Sequence, residues 1–359
     1  MPAYRLQNIG PYRFHRGGEV PEVSLAYETW GALNHARSNV VLLTTGLSPG
    51  CHAHSTLLDP SPGWWEGMIG PGRALDTDRY FVICNNSVGS CHGSTGPASV
   101  DPRTGSRYRM SFPELSVEDI AATSRLLLQS LGVTKLAAVV GSSLGGMTSL
   151  AYAAMFPHEV DKLVTISAAA SASTFAIALR SIQREAIRTD PAWLDGSYPL
   201  DKPPLVGMAL ARKLGLVSYR SPGEWGLRFK RDRVEKPKAH GIEFEIEAYL
   251  EHQASRFIHT FDANCYLYLS RAMDLFSLES HAETPEEAYA RVGARRTLVV
   301  GVETDILFPV EQQLDLANRL RAAGKNVHLA RLSSLQGHDS FLIDLDRFSP
   351  VIGSFLEEG

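Results

Sequence analysis

The stretch Gly141-Ser142-Ser143-Leu144-Gly145-Gly146 joins a strand-like run to a helix-like run. A short apolar segment, residues 136–140, precedes it, and an alanine-rich apolar segment begins at Met147. The pattern Gly-x-Ser-x-Gly at such a junction is typical of a sharp turn that exposes the hydroxyl of its central serine. Glycines flank that serine because the neighbouring strand and helix leave no room for side chains. We therefore predict a nucleophile at Ser143; the alternative is a tight turn without chemistry.

Other short runs of β-branched and apolar residues recur along the chain. Continuous apolar runs suit strands that are covered on both faces, as in a parallel sheet. Helical patterns lie between them, and Ser116 with Asp119 resembles the capped start of one such helix. Alternating strands and helices predict an α/β fold whose sheet is mostly parallel and has helices on both faces. The strand-like runs are residues 39–44, 80–84, 136–140, 162–166 and 296–301.

This alternation of strands and helices stops between residues 170 and 290. That stretch is rich in Arg, Tyr, Phe and Glu and reads as mostly helical. The strand–helix rhythm resumes at Arg296 and continues to the end of the chain. We therefore predict one core domain, residues 1–169 and 291–359, interrupted by a helical lid insertion at residues 170–290.

A serine nucleophile needs a base, and the base needs a carboxylate that orients it. In the α/β-hydrolase fold, an acid and then a histidine follow the serine along the chain. Asp305 comes after the strand-like run that starts at Arg296, where functional groups gather in open α/β sheets. Glu303 is the rival, but it lies closer to the strand, and His338 occupies a polar turn further on. The sequence thus predicts an α/β-hydrolase fold with Ser143, Asp305 and His338 as catalytic residues.

The tetrahedral intermediate of such an enzyme needs two backbone N–H donors. One donor is expected from Leu144, the residue after the nucleophile, and the other from Leu47 in the loop after an early strand. Gly46 in that loop permits a close approach of the backbone. A second glycine-rich stretch, residues 89–96, lacks the Gly-Lys-Ser/Thr ending of a phosphate loop and is interpreted as a structural turn.

Composition excludes several classes of protein. A net charge of −4 argues against a nucleic-acid binder, whose phosphate contacts require a basic surface. The sequence shows neither an apolar run long enough to span a membrane nor the pattern of a signal peptide at its start. Four cysteines lack metal-ligand spacing, so we expect no metal site and free thiols in a reducing cytoplasm.

With these residues in place, nearly the whole chain resembles the homoserine and serine O-acyltransferase family of the α/β-hydrolase superfamily. Chance is not expected to produce so many specific sequence matches to one family over nearly the whole chain. The stretches that carry the resemblance are residues 26–31 (AYETWG), 63–68 (GWWEGM), 86–97 (NSVGSCHGSTGP), 141–147 (GSSLGGM), 211–215 (ARKLG), 264–274 (NCYLYLSRAMD) and 337–342 (GHDSFL). One departure is Leu144, because many relatives have methionine before the double glycine; the change conserves volume and leaves the mechanism intact.

The resemblance implies a two-step transfer without a cofactor. An acyl group moves from acyl-CoA, a co-substrate, to the serine nucleophile and then to the hydroxyl of a small amino acid. The resemblance also implies that Arg212 and Asp339 bind this acceptor, since arginine suits a carboxylate and aspartate suits an ammonium group. It further implies a homodimer formed through the helical insertion.

Two details of the resemblance concern the substrates. The loop Gly46-Leu47-Ser48-Pro49 looks like that of the serine-using branch of the family. Arg180 lies in a stretch similar to the members that use succinyl-CoA, in which the matching arginine is associated with acyl-CoA choice. A planar guanidinium can hold the free carboxylate of a succinyl group, which an acetyl group lacks. Arg184 and Arg188 are expected on the same helix face, as a solvated stripe or as contacts to the phosphates of CoA.

These expectations favour transfer of a succinyl group from succinyl-CoA to L-serine, in the branch that supplies cysteine biosynthesis. Transfer of an acetyl group to homoserine or serine is the closest alternative, with the same catalytic residues. A serine esterase is an alternative of another class, because no motif excludes water as the acceptor. A binding protein without catalysis is a third class, which the complete set of Ser143, Asp305 and His338 argues against.

Overall fold

The computed structural model describes residues 4–358 of the 359-residue chain. Residues 1–3 and 359, which the predicted core domain includes, lie outside the described part. The strands of the described part, in chain order, are β1 Arg5–Asn8, β2 Tyr12–Arg13, β3 Glu19–Val20, β4 Ser24–Trp30, β5 Val40–Thr44, β6 Ile69–Gly70, β7 Leu75–Asp76, β8 Phe81–Asn85, β9 Leu136–Ser142, β10 Val160–Ile166, β11 Arg296–Val302 and β12 Val327–Leu332.

Helices separate most of these strands after β8. No helix within residues 4–358 combines the length and the apolarity needed to cross a bilayer. The helices are α1 Val117–Ser130, α2 Leu144–Met155, α3 Thr174–Arg188, α4 Leu205–Tyr219, α5 Pro222–Arg228, α6 Glu245–Phe257, α7 Ala263–Leu275, α8 Pro285–Arg291, α9 Val310–Ala322, α10 Ser340–Ile343 and α11 Leu345–Glu357.

The central sheet has the strand order β1-β4-β8-β5-β9-β10-β11-β12. From β8 to β12 every neighbouring pair is parallel, whereas β1 and β4 pair antiparallel at one edge. The predicted α/β fold with a mostly parallel sheet is therefore confirmed. The antiparallel edge was not predicted, because β4 carries polar residues between its buried positions and lacks the continuous apolar run by which the central strands were recognised.

Both faces of the sheet are covered, which explains the continuous apolar runs. Successive side chains of a strand point to opposite faces. Accordingly, Val139 of β9 packs into the core that contains α1, α2 and α9, and Val140 packs into the core that contains α11. Burial of each such side chain stabilises the fold by roughly 1.5–3 kcal/mol.

Local signals fix the helices that carry the core. Ser116 accepts a hydrogen bond from the Asp119 N–H while the Asp119 side chain accepts one from the Ser116 N–H, so the predicted cap of α1 is a full capping box. Helix α2 is buried around almost its whole circumference, as a helix between a sheet and other helices should be. Its apolar sequence follows from this position.

The stretch between β10 and β11 is helical, from α3 to α8. Helix α3 packs against α4 and α7, and α4 packs against α6. An isolated bridge between Ser171 and Ser277, and a 2.7 Å hydrogen bond from the Leu278 N–H to the Ala170 carbonyl, hold the two ends of the insertion together. Helix α8 instead packs against α2, on the core side of this crossing point. The division at residues 170 and 290 stays a prediction.

Candidate active site

Ser143 lies at the turn between β9 and α2, with φ of 55° and ψ of −122°. A positive φ is strained for a residue with a side chain and persists only where the surroundings enforce it. A Cβ atom on Gly141 would collide with the Gly145 carbonyl oxygen, and one on Gly145 would collide with the Thr44 carbonyl oxygen. The Ser143 N–H is held by the Ile166 carbonyl of β10 at 2.9 Å. Close packing of α2 on the sheet therefore produces the predicted turn.

His338 and Asp305 form a buried pair. The Nδ1 atom of His338 lies 2.7 Å from Oδ2 of Asp305, and the geometry assigns the proton to Nδ1 because the carboxylate accepts. The other carboxylate oxygen accepts hydrogen bonds of 2.9 Å from the N–H groups of Leu307 and Phe308. Both oxygens of Asp305 are thus used, and the orientation of the imidazole is fixed.

The imidazole of His338 is also held by packing. The ring of Phe308 stacks on it with centroids 5.3 Å apart, and the ring of Phe341 meets it edge-on at 5.6 Å. Gly337 precedes it with φ of +66°, and a Cβ atom there would come within 2.8 Å of the Ser221 backbone nitrogen. The position before the histidine is therefore restricted to glycine by both conformation and space.

The three residues predicted as nucleophile, base and acid come together at one cavity. Ser143 and His338 both line it, and Asp305 lies behind the imidazole. No hydrogen bond joins the Ser143 hydroxyl to the ring within residues 4–358, and such contacts are often loose until a substrate is bound. A hydroxyl, an imidazole and an orienting carboxylate in this order are able to form and resolve an acyl-enzyme.

The electrostatic environment of His338 favours its protonated form. Burial by itself lowers the pKa of the imidazole, because it penalises the charged ring. The charge and hydrogen bond of Asp305, assisted by the charge of Asp339, outweigh that effect, and Arg180 opposes them weakly. As a result the pKa of His338 lies above its ordinary value.

Leu47 and Leu144 occupy the positions expected of the oxyanion donors. Leu144 is the first residue of α2, and Leu47 lines the cavity in the loop after β5. Neither N–H donates a hydrogen bond to another group within the described residues. The predicted loop Gly46-Leu47-Ser48-Pro49 forms one wall of the cavity. Two free donors at a helix N-terminus and a loop are what a developing oxyanion requires.

Two side chains that the sequence did not single out hold this loop in place. The Nε2–H of His92 donates to the Ser48 carbonyl oxygen at 3.1 Å, and the indole N–H of Trp64 donates to the Gly50 carbonyl oxygen at 3.0 Å. His92 belongs to the glycine-rich stretch at residues 89–96, which was interpreted as a structural turn. That stretch therefore supports the cavity wall.

The cavity has a volume of about 440 Å³ and extends from Ser143 to the helical insertion. This volume suits a small organic substrate. Its wall combines core residues with residues of α3, α4, α6 and α7. The residues that line the cavity include Gly46, Leu47, Ser48, Pro49, Ser143, Arg180, Tyr219, Phe257, Tyr266, His338 and Asp339.

Arg180 of α3 is 4% exposed and lines this cavity. Its Nε atom lies 2.5 Å from Oδ1 of Asp274, whereas Nη1 and Nη2 are buried without a hydrogen-bond partner among the described residues. Arg184, one turn further on, pairs with the other oxygen of Asp274 at 2.6 Å, and Arg188 is exposed. The three arginines thus have different environments, and Arg180 alone of them lines the cavity.

Asp339 lines the cavity next to His338 and is already paired. The Nε atom of Arg220 lies 3.2 Å from Oδ2 of Asp339, and the Nη1 of Arg220 donates to Oε1 of Gln336 at 2.7 Å. Burial raises the pKa of Asp339 above its ordinary value, although Arg220, His338 and Arg212 oppose this. The partner Arg220 was not predicted.

Arg212 of α4 does not reach the cavity surface. Its guanidinium lies 4.5 Å from the centroid of the Phe257 ring and 5.8 Å from that of Tyr219, and both rings line the cavity. Its Nε is buried without a hydrogen-bond partner among residues 4–358. The structure therefore places Arg212 behind the aromatic wall, close enough to affect the charge of Asp339.

Comparison with known proteins identifies the family. The model of the α/β-hydrolase fold matches residues 40–343. A serine O-succinyltransferase of Litchfieldella anticariensis is 53% identical over 99% of this chain and 99% of that protein. The crystal structure of homoserine O-acetyltransferase from Bacillus anthracis superposes with a TM-score of 0.92 at 30% identity, covering 100% of this chain and 99% of that one.

The chain belongs to the homoserine and serine O-acyltransferase family of α/β hydrolases. The family resemblance drawn from the sequence is thereby confirmed, and so is the enzyme class, an acyltransferase. The family fold also carries hydrolysis: the crystal structure of esterase E22 superposes with a TM-score of 0.91 at 29% identity, covering 99% of both chains.

The acyltransferase site contains supporting residues that no local motif could reveal. Asp274, Arg220, His92 and Trp64 act on the site only through contacts with residues distant in the chain. The one available signal was that Trp64, His92 and Asp274 fall within three of the strings shared with the family. A sequence stretch shared with a family indicates that its residues are constrained, but it does not reveal which tertiary contact constrains them.

The raised pKa of His338 leads to a test of its surroundings. A base must be neutral to accept the Ser143 proton, so acylation should rise with pH through the pKa of His338. Asp339→Asn removes one charge that raises this pKa. We expect the acid limb of the pH profile to move to lower pH, measured as the burst of nitrophenol from a p-nitrophenyl ester without acceptor.

The matched control is Asp315→Asn on α9, a carboxylate paired with Arg319 on the surface. Its acid limb should coincide with that of the wild type. A limb that stays in place in Asp339→Asn, or moves to higher pH, would contradict the electrostatic coupling between Asp339 and His338.

Proposed function

We propose that the chain is an L-serine O-succinyltransferase that transfers a succinyl group from succinyl-CoA through an acyl-enzyme on Ser143. The observation that carries this proposal is that Arg180 lines the cavity that contains Ser143, while its two Nη atoms are buried without a hydrogen-bond partner among the described residues. A buried guanidinium edge without a partner is costly unless an anionic ligand completes it. The succinyl group brings such a carboxylate, and an acetyl group does not.

In the proposed first half-reaction, the geometry supports one role for each residue. His338, oriented by Asp305, accepts the proton of the Ser143 hydroxyl as Oγ attacks the thioester carbonyl of acyl-CoA. The N–H groups of Leu47 and Leu144 bind the oxyanion of the tetrahedral intermediate. When the C–S bond breaks, His338 returns its proton to the departing thiolate of CoA, and the acyl group remains on Ser143.

In the second half-reaction, the hydroxyl of the acceptor replaces the thiol. His338 takes the proton of this hydroxyl as its oxygen attacks the acyl-enzyme, and then returns the proton to Oγ of Ser143. Asp339 lines the cavity beside His338 and is proposed to bind the ammonium group of L-serine. Arg212 is proposed to attract its carboxylate from behind Tyr219 and Phe257; direct contact would require these rings to move.

The loop Gly46-Leu47-Ser48-Pro49 is proposed to select serine over homoserine. The loop lines the cavity and is fixed from behind by His92 and Trp64. A rigid wall can discriminate between acceptors that differ by one methylene, although one methylene is worth only about 1–3 kcal/mol. Transfer of acetyl groups and the use of homoserine are the outcomes that would replace this proposal.

Hydrolysis is the second candidate, favoured by the close superposition with esterase E22. Water needs only the nucleophile, the base and the oxyanion donors. An amino-acid acceptor also needs charged groups that orient it, and Asp339 with its partner Arg220 provides one of them at the cavity wall. Transfer is therefore the better-supported reaction.

The proposed assembly is a homodimer through the helical insertion. Helices α3 and α4 expose six large apolar side chains: Phe175, Ile177, Ile182, Val206, Leu210 and Val217. The two helices pack against each other, so their exposed apolar residues lie on neighbouring elements. An exposed apolar surface rimmed by polar residues is typical of a protein interface.

Ser143→Ala should abolish transfer, lowering the rate by at least about 1000-fold, because no acyl-enzyme can form without Oγ. Wild-type enzyme stalled with succinyl-CoA alone should gain one succinyl mass on the peptide that contains Ser143. The neighbouring Ser142→Ala should still gain this mass. Modification of Ser142, or of no serine at all, would rule out the assignment of the nucleophile.

A donor–acceptor matrix tests the substrates. Succinyl-CoA and acetyl-CoA are each combined with L-serine and L-homoserine, and the products are read by mass spectrometry. We expect O-succinylserine as the main product. In Arg180→Leu, transfer of succinyl groups should fall by about 10- to 1000-fold while transfer of acetyl groups falls much less. An equal loss of succinyl and acetyl transfer in Arg180→Leu would contradict the proposal that Arg180 selects the acyl donor.

Charged substitutions on the exposed apolar face of α3 and α4 test the proposed homodimer. Val206→Glu combined with Leu210→Glu should shift the particle from the mass of two chains to that of one, because a buried unpaired carboxylate is unfavourable in an interface. Light scattering after size exclusion gives the mass. Val100→Glu, at an exposed apolar position outside the insertion, is the control and should leave the mass unchanged. A single-chain mass for the wild type would contradict the proposal.

A further inference from the structure

Asp274 joins the two arginines of α3 from the last turn of α7. Its Oδ1 lies 2.5 Å from Nε of Arg180, and its Oδ2 lies 2.6 Å from Nη1 of Arg184. The Nη1 of Arg184 donates its hydrogen bond to the hydroxyl of Ser270 at 3.0 Å, and its contact with Asp274 is an ion pair without a hydrogen bond. The carboxylate of Asp274 is 8% exposed and Arg180 is 5% exposed at the side chain, so this pairing is shielded from solvent. No local sequence pattern predicted it, because 94 residues separate Asp274 from Arg180.

The charges of this group do not balance. Two guanidinium groups share one carboxylate, which leaves one positive charge uncompensated. Asp339, which lines the same cavity, is already paired with Arg220. Because a buried charge is costly without a counter-ion, the excess positive charge favours an anionic ligand.

The pairing also determines which edge of Arg180 is free. Asp274 occupies Nε, and the unpartnered atoms are Nη1 and Nη2. These two donors form one edge of the guanidinium, which matches the two oxygens of a carboxylate. Without Asp274, the Nε–Nη edge would compete for the ligand, and the long side chain would regain rotamers. A carboxylate would then bind at more than one place and more weakly.

We propose that Asp274 is a positioning residue for acyl-donor selection: it fixes Arg180 so that only the Nη1–Nη2 edge meets the terminal carboxylate of the acyl chain. This role rests on the proposed succinyl transfer. The competing explanation is that Asp274 merely ties α7 to α3. A tie between helices would affect both donors equally, whereas a positioning residue affects the donor that carries a carboxylate.

The test compares single-turnover acylation of Ser143 by succinyl-CoA and by acetyl-CoA in one preparation. The ratio of the two rates is independent of the fraction of folded enzyme. In Asp274→Ala the succinyl-to-acetyl ratio should fall by about 10- to 100-fold relative to wild type. Asp274→Asn keeps the shape of the side chain and should lower the ratio in the same direction. If Asp274→Ala fails to fold, Asp274→Asn decides the question.

The control is Asp262→Asn, at the N-cap of the same helix α7. Asparagine caps a helix as well as aspartate does, so this variant should keep the wild-type ratio. A double-mutant cycle on the succinyl-to-acetyl ratio distinguishes the positioning role from a purely structural one. Asp274→Asn placed in the Arg180→Leu background should not change the ratio further, because Asp274 acts through Arg180.

The outcomes separate the two proposals. A wild type that prefers acetyl-CoA overturns the proposed function, whatever Asp274 does. A wild type that prefers succinyl-CoA, with an unchanged ratio in both Asp274 variants, overturns the positioning role alone. A further drop of the ratio in the double variant also overturns it, because Asp274 would then act independently of Arg180.

Discussion

The site depends on one steric constraint, the close packing of α2 against β5 and β9. At Gly141 and Gly145 the backbones of helix and sheet leave no space for a Cβ atom. The chain can make this turn only if Ser143 takes a positive φ, which raises its hydroxyl above the carboxyl edge of the sheet. The same turn leaves the Leu144 N–H free at the start of α2. The predicted nucleophile and the predicted oxyanion donor thus have one physical origin.

The remaining parts of the site are placed relative to this edge. In a parallel sheet the carboxyl ends of neighbouring strands lie on the same side, so the loops after β5, β11 and β12 converge above Ser143. They contribute Leu47, Asp305 and His338, respectively. The insertion after β10 then covers the cavity and carries Arg180 across from the opposite side. Asp305 and Asp339 of the core domain therefore act on His338, and the insertion contributes Arg180 to the cavity wall.

Much of the fold was predictable because its signals are local. A strand covered on both faces must be apolar throughout, and a helix start must satisfy its free N–H groups, which is why β5, β8 to β11 and the capping box at Ser116 were found. Strand β4 was missed because its polar residues Ser24, Glu28 and Thr29 leave no continuous apolar run. Asp305 was separable from Glu303 by distance from the strand; Glu303 proves to be exposed and paired with Arg331.

The sequence by itself determined the nucleophile elbow, the order of the candidate catalytic residues and the family. These depend on short spacings, and a short spacing constrains the backbone directly. Only the tertiary structure decided which polar atoms are satisfied: Arg220 holds Asp339 across 119 residues, and Asp274 holds Arg180 across 94. It also placed Arg212 behind aromatic rings. The physical reason is that a hydrogen bond between distant segments is specified by the packing of whole helices, which no local pattern encodes.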